Sequence, residues 1–245
     1  MLKVLHKLKF PEEKEKKLDV FVSYTTDPQY HGSFSQRFHS LLGVPLNFAW
    51  RNAKDLEQNK DLVFKRNFPW DHPSAEAIKQ AMVLDDEEKE FVIARQLGYL
   101  DTKNVWGRLI QRCICITLGF AMGHTLNYRF GHYKETSRFR RPNVKIGTMF
   151  GLSAIAWYFV AKWVDDSYTC YLDSCADKYA ATIDRDMAAA GQRYYDKIIR
   201  SNIAMREILP GAERKFTVYG NEQQGMIRTK SIPLVARRDY MRDMS

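Results

Sequence analysis

The sequence predicts a mainly helical α+β protein with a two-helix transmembrane hairpin inserted into it. Three observations predict this. Two apolar stretches, residues 109–126 and 144–164, approach the roughly 20 residues that cross a bilayer core as a helix. Strand-like alternation is confined to short runs before residue 65, and helical spacing dominates after residue 85. Hydrophobic residues make up 45% of the 245-residue chain and aromatics 13%, a composition that folds.

The organisation expected is a basic amino terminus (1–18), a soluble segment with short strands and one telling helix (19–105), the hairpin (106–165) and a helical carboxy-terminal segment (166–245) that packs on 19–105. The opening MLKVLHKLKF is basic and lacks the long apolar core of a secretory signal. It reads as the tail of a mitochondrial targeting segment or as a solvated charge run. Residues 19–24 (DVFVSY) alternate as a half-buried strand does. Gly43-Val44-Pro45 reads as a turn, residues 61–64 (DLVF) as a second short strand, and the two prolines of residues 67–74 (NFPWDHPS) as a loop. Asp85 or Asp86 then caps a helix running to about Tyr99. Val92, Ile93, Leu97 and Leu100 recur at helical spacing, and acids crowd the first turn, where the dipole favours them.

In the hairpin, small residues (Gly119, Ala121, Gly123, Gly147, Gly151, Ser153, Ala154) suit close helix packing in lipid. Trp106, Tyr128, Tyr133, Trp157, Tyr158 and Trp163 flank the spans as interface aromatics do. The rival reading is a hairpin buried in a soluble core. The loop 131–145 carries Lys134, Arg138, Arg140, Arg141 and Lys145, a set that faces anionic lipid and holds the loop on the side where insertion begins. Residues 173–202 follow as one long helical pattern, with Tyr179, Ile183, Met187, Tyr194, Ile198 and Ile199 as packing positions. Leu209-Pro210-Gly211 ends it.

The formal charge of +9 points to an acidic surface as partner. The sequence shows no zinc-finger, RNA-binding or helix-turn-helix pattern, so anionic lipid is expected and nucleic acid is not. Cys113 and Cys115 read as small buried hydrophobes, and Cys170 and Cys175 as reduced thiols or one local disulfide. The six histidines show no ligand spacing; His124, near the end of a span, reads as snorkelling to the interface. No nucleophile elbow, Walker loop or dinucleotide fingerprint is present, and no cofactor is expected.

Residues 91–100, FVIARQLGYL, resemble the zinc helix of membrane metalloproteases of the HtpX and CAAX-prenyl-protease kind, which reads roughly A-H-E-L-G-H. There, two histidines at i, i+4 hold zinc and the glutamate between them is the base. Arg95 and Tyr99 stand at the histidine places and Gln96 at the glutamate place. Arginine keeps its proton, tyrosine is a poor zinc ligand and glutamine is no base. Residues 173–181 resemble the second protease motif, E-x-x-A-D-x-Y-A, with Asp173 at the third-ligand position and Asp177 as the supporting acid. The resemblance implies a degenerate metalloprotease-like domain whose cleft (Arg95, Gln96, Tyr99, Asp173, Asp177) binds peptide without cutting it. The alternative is an ordinary amphipathic helix with Arg95 and Tyr99 on its polar face.

Over residues 21–244 the sequence also resembles the transmembrane protein 177 family. The segments carrying this are Gly43-Val44-Pro45, residues 87–100, the hairpin, residues 194–209 and residues 232–241. Ser201–Arg206 and Arg237-Arg238-Asp239 are the most specific among them. The resemblance implies a multi-pass protein of the mitochondrial inner membrane that assists newly made cytochrome c oxidase subunit II, with its chaperone and copper-delivery proteins. It carries no catalytic residues. The alternatives are a structural or lipid-binding membrane protein, and a residual metal-dependent peptidase using Asp173, Asp177 and a histidine.

Overall fold

A computed structural model describes residues 10–25, 27–52, 54–57, 68–131, 142–225 and 228–245. The expected strand at 61–64 lies outside them, as do Lys134, Arg138, Arg140 and Arg141 of the basic loop; Lys145 lies inside. The chain forms two compact units, Met1–Asn104 with Cys170–Ser245, and Val105–Thr169.

The first unit opens on a helical turn, Glu12–Glu15, and a three-stranded sheet. Strands β1 (Leu18–Ser23), β2 (Gln29–His31) and β3 (Ser40–Pro45) lie in the order β1-β3-β2. β1 runs parallel to β3, and β2 antiparallel to it. Gly43-Val44-Pro45 is therefore strand and not turn. The Phe21 ring lies where a Gly43 side chain would stand, with a Cβ only 2.8 Å from its Cζ. Pro45 ends the strand, where its missing N–H costs no ladder bond. The half-buried alternation expected for β1 does not hold: Val20, Phe21 and Val22 are all exposed.

Helices α1 (Ala75–Met82), α2 (Asp86–Asp101), α5 (Arg185–Ile208) and α6 (Leu234–Met244) complete this unit, with the last part of α4 (Pro142–Ala181). α2 starts at a capping box: Asp85 is the N-cap, and the Glu88 carboxylate returns to the Asp85 N–H at 2.8 Å. Lys197 of α5 donates to the same buried Glu88 Oε2 at 2.6 Å. α2 is buried on nearly every side (Phe91, Val92, Ala94, Leu97 and Leu100 are fully buried), so it is the central helix and not an amphipathic surface one. The core around it gathers Leu42, Ala180, Met187, Tyr194, Tyr195 and Met241. A second cluster joins Trp50, Leu56, Ile78, Met82, Ala204 and Ile208.

The long pattern at 173–202 is two helices, not one. α4 ends at Ala181 and α5 begins at Arg185 behind Asp184, whose extended backbone (φ −157°, ψ 152°) breaks the helix. Upstream, α4 continues without interruption from the second apolar stretch to Asp177.

The second unit pairs α3 (Asn104–Arg129) with the first part of α4. At 1.5 Å per residue α3 is about 39 Å long, enough to cross a bilayer core of about 30 Å. Trp157 and Phe150 sit against Gly119 and Gly123, where Cβ atoms would lie 3.1 and 2.5 Å from those rings. Ser153 Oγ donates to the Gly119 carbonyl at 2.8 Å, and Asn127 Nδ2 to that of Gly123 at 2.9 Å. Ile110, Ile114, Ile116, Phe120, Leu152, Ile155, Phe159 and Trp163 face outward. So large an apolar exterior suits lipid and contradicts a hairpin hidden in a soluble core. All four cysteines are free; Cys115 is buried as expected and Cys113 is exposed.

Candidate functional site

α2, the end of α4, α5 and α6 bring four of the five singled-out residues into one ionic network. Arg95 and Tyr99 lie one turn apart on α2, and Asp173 and Asp177 one turn apart on α4. Arg95 Nη2 donates to the Tyr99 hydroxyl at 2.8 Å, and that hydroxyl donates to Asp173 Oδ1. Arg95 Nε lies 3.0 Å from Asp177 Oδ1, with its N–H turned off that oxygen. Gln96 is buried beside them, and its Oε1 has no hydrogen-bond partner among the described residues.

Two residues of the network had been given no role from the sequence. Arg237 of α6 grips Asp177 with both teeth of its fork, Nε to Oδ2 at 2.6 Å and Nη2 to Oδ1 at 2.7 Å. Tyr195 of α5 donates to Asp177 Oδ1 at 2.7 Å. The signal for Arg237 was its place between Leu234 and Met241, an arginine inside an apolar helical stripe. Tyr195 had no such signal. Aromatic faces close the arrangement. Arg237 lies over the Tyr195 ring at 4.9 Å and Arg95 over that of Tyr99 at 5.2 Å. Tyr30 of β2 stacks on Tyr99, centroids 4.6 Å apart and planes 5° apart.

Burial is the largest influence on these groups. It pushes the Tyr194 phenol up to about 12, and raises those of Tyr99 and Tyr195 as well. Burial also works against the charge on Arg95, but Tyr195, Tyr99 and Asp177 outweigh it and its pKa rises. Arg237 rises too: burial and Arg95 oppose its charge, and Tyr195 and Asp177 prevail. Both arginines therefore stay charged at any physiological pH. Asp177 is fully engaged, and Asp173 accepts from Tyr99 with Arg95 and Arg237 at 3.8 and 3.7 Å. The network is thus built to hold four segments together, and its carboxylates already have cationic or hydroxyl neighbours.

Beside it lies a cavity of about 570 Å³, within the size range of ligand pockets. Arg95, Gln96, Tyr99, Asp173 and Arg237 form one side; Tyr30, Phe48, Tyr194, Ile198, Phe216 and Leu234 add apolar wall. Lys145 lies on α4 in the other unit and takes no part in this site.

A family model described as Transmembrane protein 177 matches residues 18–245. The chain is similar to Transmembrane protein 177 of Homo sapiens, 24% identical over 235 residues that cover 91% of this chain and 70% of that protein. It is 27% identical over 184 residues to Transmembrane protein 177 of Danio rerio, covering 74% and 57%. An uncharacterized protein of Caenorhabditis elegans is 25% identical over 223 residues, covering 87% and 64%. No solved structure matches the chain.

Proposed function

The chain belongs to the transmembrane protein 177 family, and on that premise we propose that it is a non-catalytic assembly factor of the mitochondrial inner membrane. It crosses that membrane more than once and assists the biogenesis and stability of cytochrome c oxidase subunit II, together with that subunit's chaperone and copper-delivery proteins. One observation carries the non-catalytic part. At the places where the resembled protease helix holds zinc and a base stand Gln96 and Tyr99, both buried, and Arg95, largely buried, and the acids opposite are bound to Arg237 and tyrosine. A peptide held in the adjoining cavity would meet, at these three places, neither a pair of zinc ligands nor the base of the protease helix. Two apolar helices with outward apolar faces support the membrane setting.

The test is capture of the tagged chain from mitochondria in mild detergent after labelling newly made mitochondrial polypeptides. Enrichment of labelled subunit II is the expected result. Recovery of the chain in the membrane fraction with no labelled partner overturns the assembly role. It would favour the second reading, a lipid-binding membrane protein, for which the exposed apolar helix faces and the basic residues of 131–145 speak.

A further inference from the structure

The charges around the cavity do not cancel. Five of its lining side chains are charged: Asp27, Asp173 and Glu222 against Arg95 and Arg237. Both arginines are committed. Arg237 holds Asp177 through bonds of 2.6 and 2.7 Å, and Arg95 is hydrogen-bonded to Tyr99 and lies 3.0 Å from Asp177. Setting Arg95 and Arg237 against Asp173 and Asp177 leaves Asp27 and Glu222 uncompensated. Among the described residues neither carboxylate has a basic partner within ion-pair distance; Glu222 accepts only a long bond from Ser231 Oγ, at 3.4 Å. Asp27 and Glu222 are both reached by solvent; the protein around Asp27 strips enough water to push its carboxyl up, and the charge of Arg95 opposes this only in part. This acidic excess stands in a chain of formal charge +9, so it is a local feature. Next to it are Phe48, Tyr194, Phe216, Ile198 and Leu234, surfaces suited to an aliphatic stem.

We propose that the cavity takes a peptide segment by a basic side chain, lysine or arginine, whose charged end neutralises Asp27 and Glu222 and whose stem lies along the aromatic wall. An acidic ligand fits poorly, because it would have to take Arg237 from Asp177, breaking two short charge-assisted bonds in a buried place. The proposal deepens the reading of this cavity as a client cleft and rests on it. It supplies the recognition chemistry that reading lacks: a cation with an apolar stem.

The test uses the purified full-length chain in uncharged detergent and three fluorescent capped peptides, Gly-Leu-X-Leu-Gly amides with X lysine, norleucine or glutamate, followed by anisotropy at low salt. The lysine peptide is expected to bind at least roughly fivefold tighter than the norleucine peptide, and the glutamate peptide weakest. Asp27→Asn should lower the lysine affinity about twofold, and Asp27→Asn with Glu222→Gln should abolish the preference. Norleucine binding should be unchanged in both variants, which also shows that they fold. Equal binding of the three peptides, tightest binding of the glutamate peptide, a lysine preference that survives both substitutions, or no peptide binding by the cooperatively folded wild-type chain would each overturn the proposal. Capture of labelled subunit II by a chain that shows no lysine preference refutes the charge assignment alone. Lysine-selective binding without that capture refutes the client instead.

Discussion

Asp177 is the residue on which most of the network turns. It accepts from Arg237 twice and from Tyr195 once, all out of water. Removing one member of a buried ion pair strands the other, at a cost of about 3–5 kcal/mol, whereas an apolar pair of similar volume is often tolerated. Asp177→Ala and Arg237→Ala should therefore each lower unfolding stability by about 3–5 kcal/mol in denaturant titrations, and Asp177→Leu with Arg237→Met by clearly less than their sum. The buried phenols make a second prediction. Their folded pKa values lie above the ordinary 10, so the folded state holds these protons more tightly than the unfolded one. Their contribution to stability is whole below about pH 10 and is lost as pH rises towards 12. The unfolding midpoint should fall over that window, and phenolate absorbance from Tyr99, Tyr194 and Tyr195 should appear only as the chain unfolds. At this scale the sequence was half legible. Arg95, Tyr99, Asp173 and Asp177 stood out through a resemblance to a zinc-ligand pattern, and the structure brings the four together. Tyr195 and Tyr30 did not, since a tyrosine in a helix or strand looks the same whether it packs or donates. Pairing across more than 50 residues, as between Asp177 and Arg237, leaves no local trace.

Among the elements, α5 shows how a missing side chain sets a packing distance. At Gly191 a Cβ would lie 2.6 Å from the Phe91 ring and 3.1 Å from Met241 Sδ, so α2 and α6 both approach through that gap. Alanine favours helix over glycine by about 1 kcal/mol, but overpacking a full core costs about 1–3 kcal/mol. Gly191→Ala should thus be net destabilising by about 1 kcal/mol, read as a lower melting temperature. The helices of strongest periodicity were legible, including the Asp85 cap, because their signals are local. The sheet was not. β2 has three residues and owes its conformation to β3, and Gly43-Val44-Pro45 carries turn residues that the strand uses instead for a close ring contact and a clean end. The single helix expected at 173–202 failed for a similar reason. Apolar spacing runs on through Ile183, while the break at Thr182–Asp184 is written only in the weak helix preference of threonine and aspartate.

For the molecule as a whole, the first unit is assembled from segments on both sides of the hairpin. Under the proposed membrane location, two segments that share one core lie on one side of the membrane, so the residues between them cross it an even number of times, twice with α3 and α4. The basic loop between them belongs on the matrix side under the proposed location. Protease added to mitochondria with a ruptured outer membrane should cut the first unit and spare a tag placed within residues 131–145. The reverse pattern would refute this topology. The divided unit also orders events during synthesis. When Phe91, Leu97 and Arg95 leave the ribosome, the residues that will cover and neutralise them, from Cys170 to Ser245, do not yet exist, and the two apolar helices come between. Completion of the core thus waits for the carboxy-terminal segment. A nascent chain stalled within the hairpin carries a buried-type arginine and an apolar helix with nothing to fold against, a state that quality-control proteases recognise.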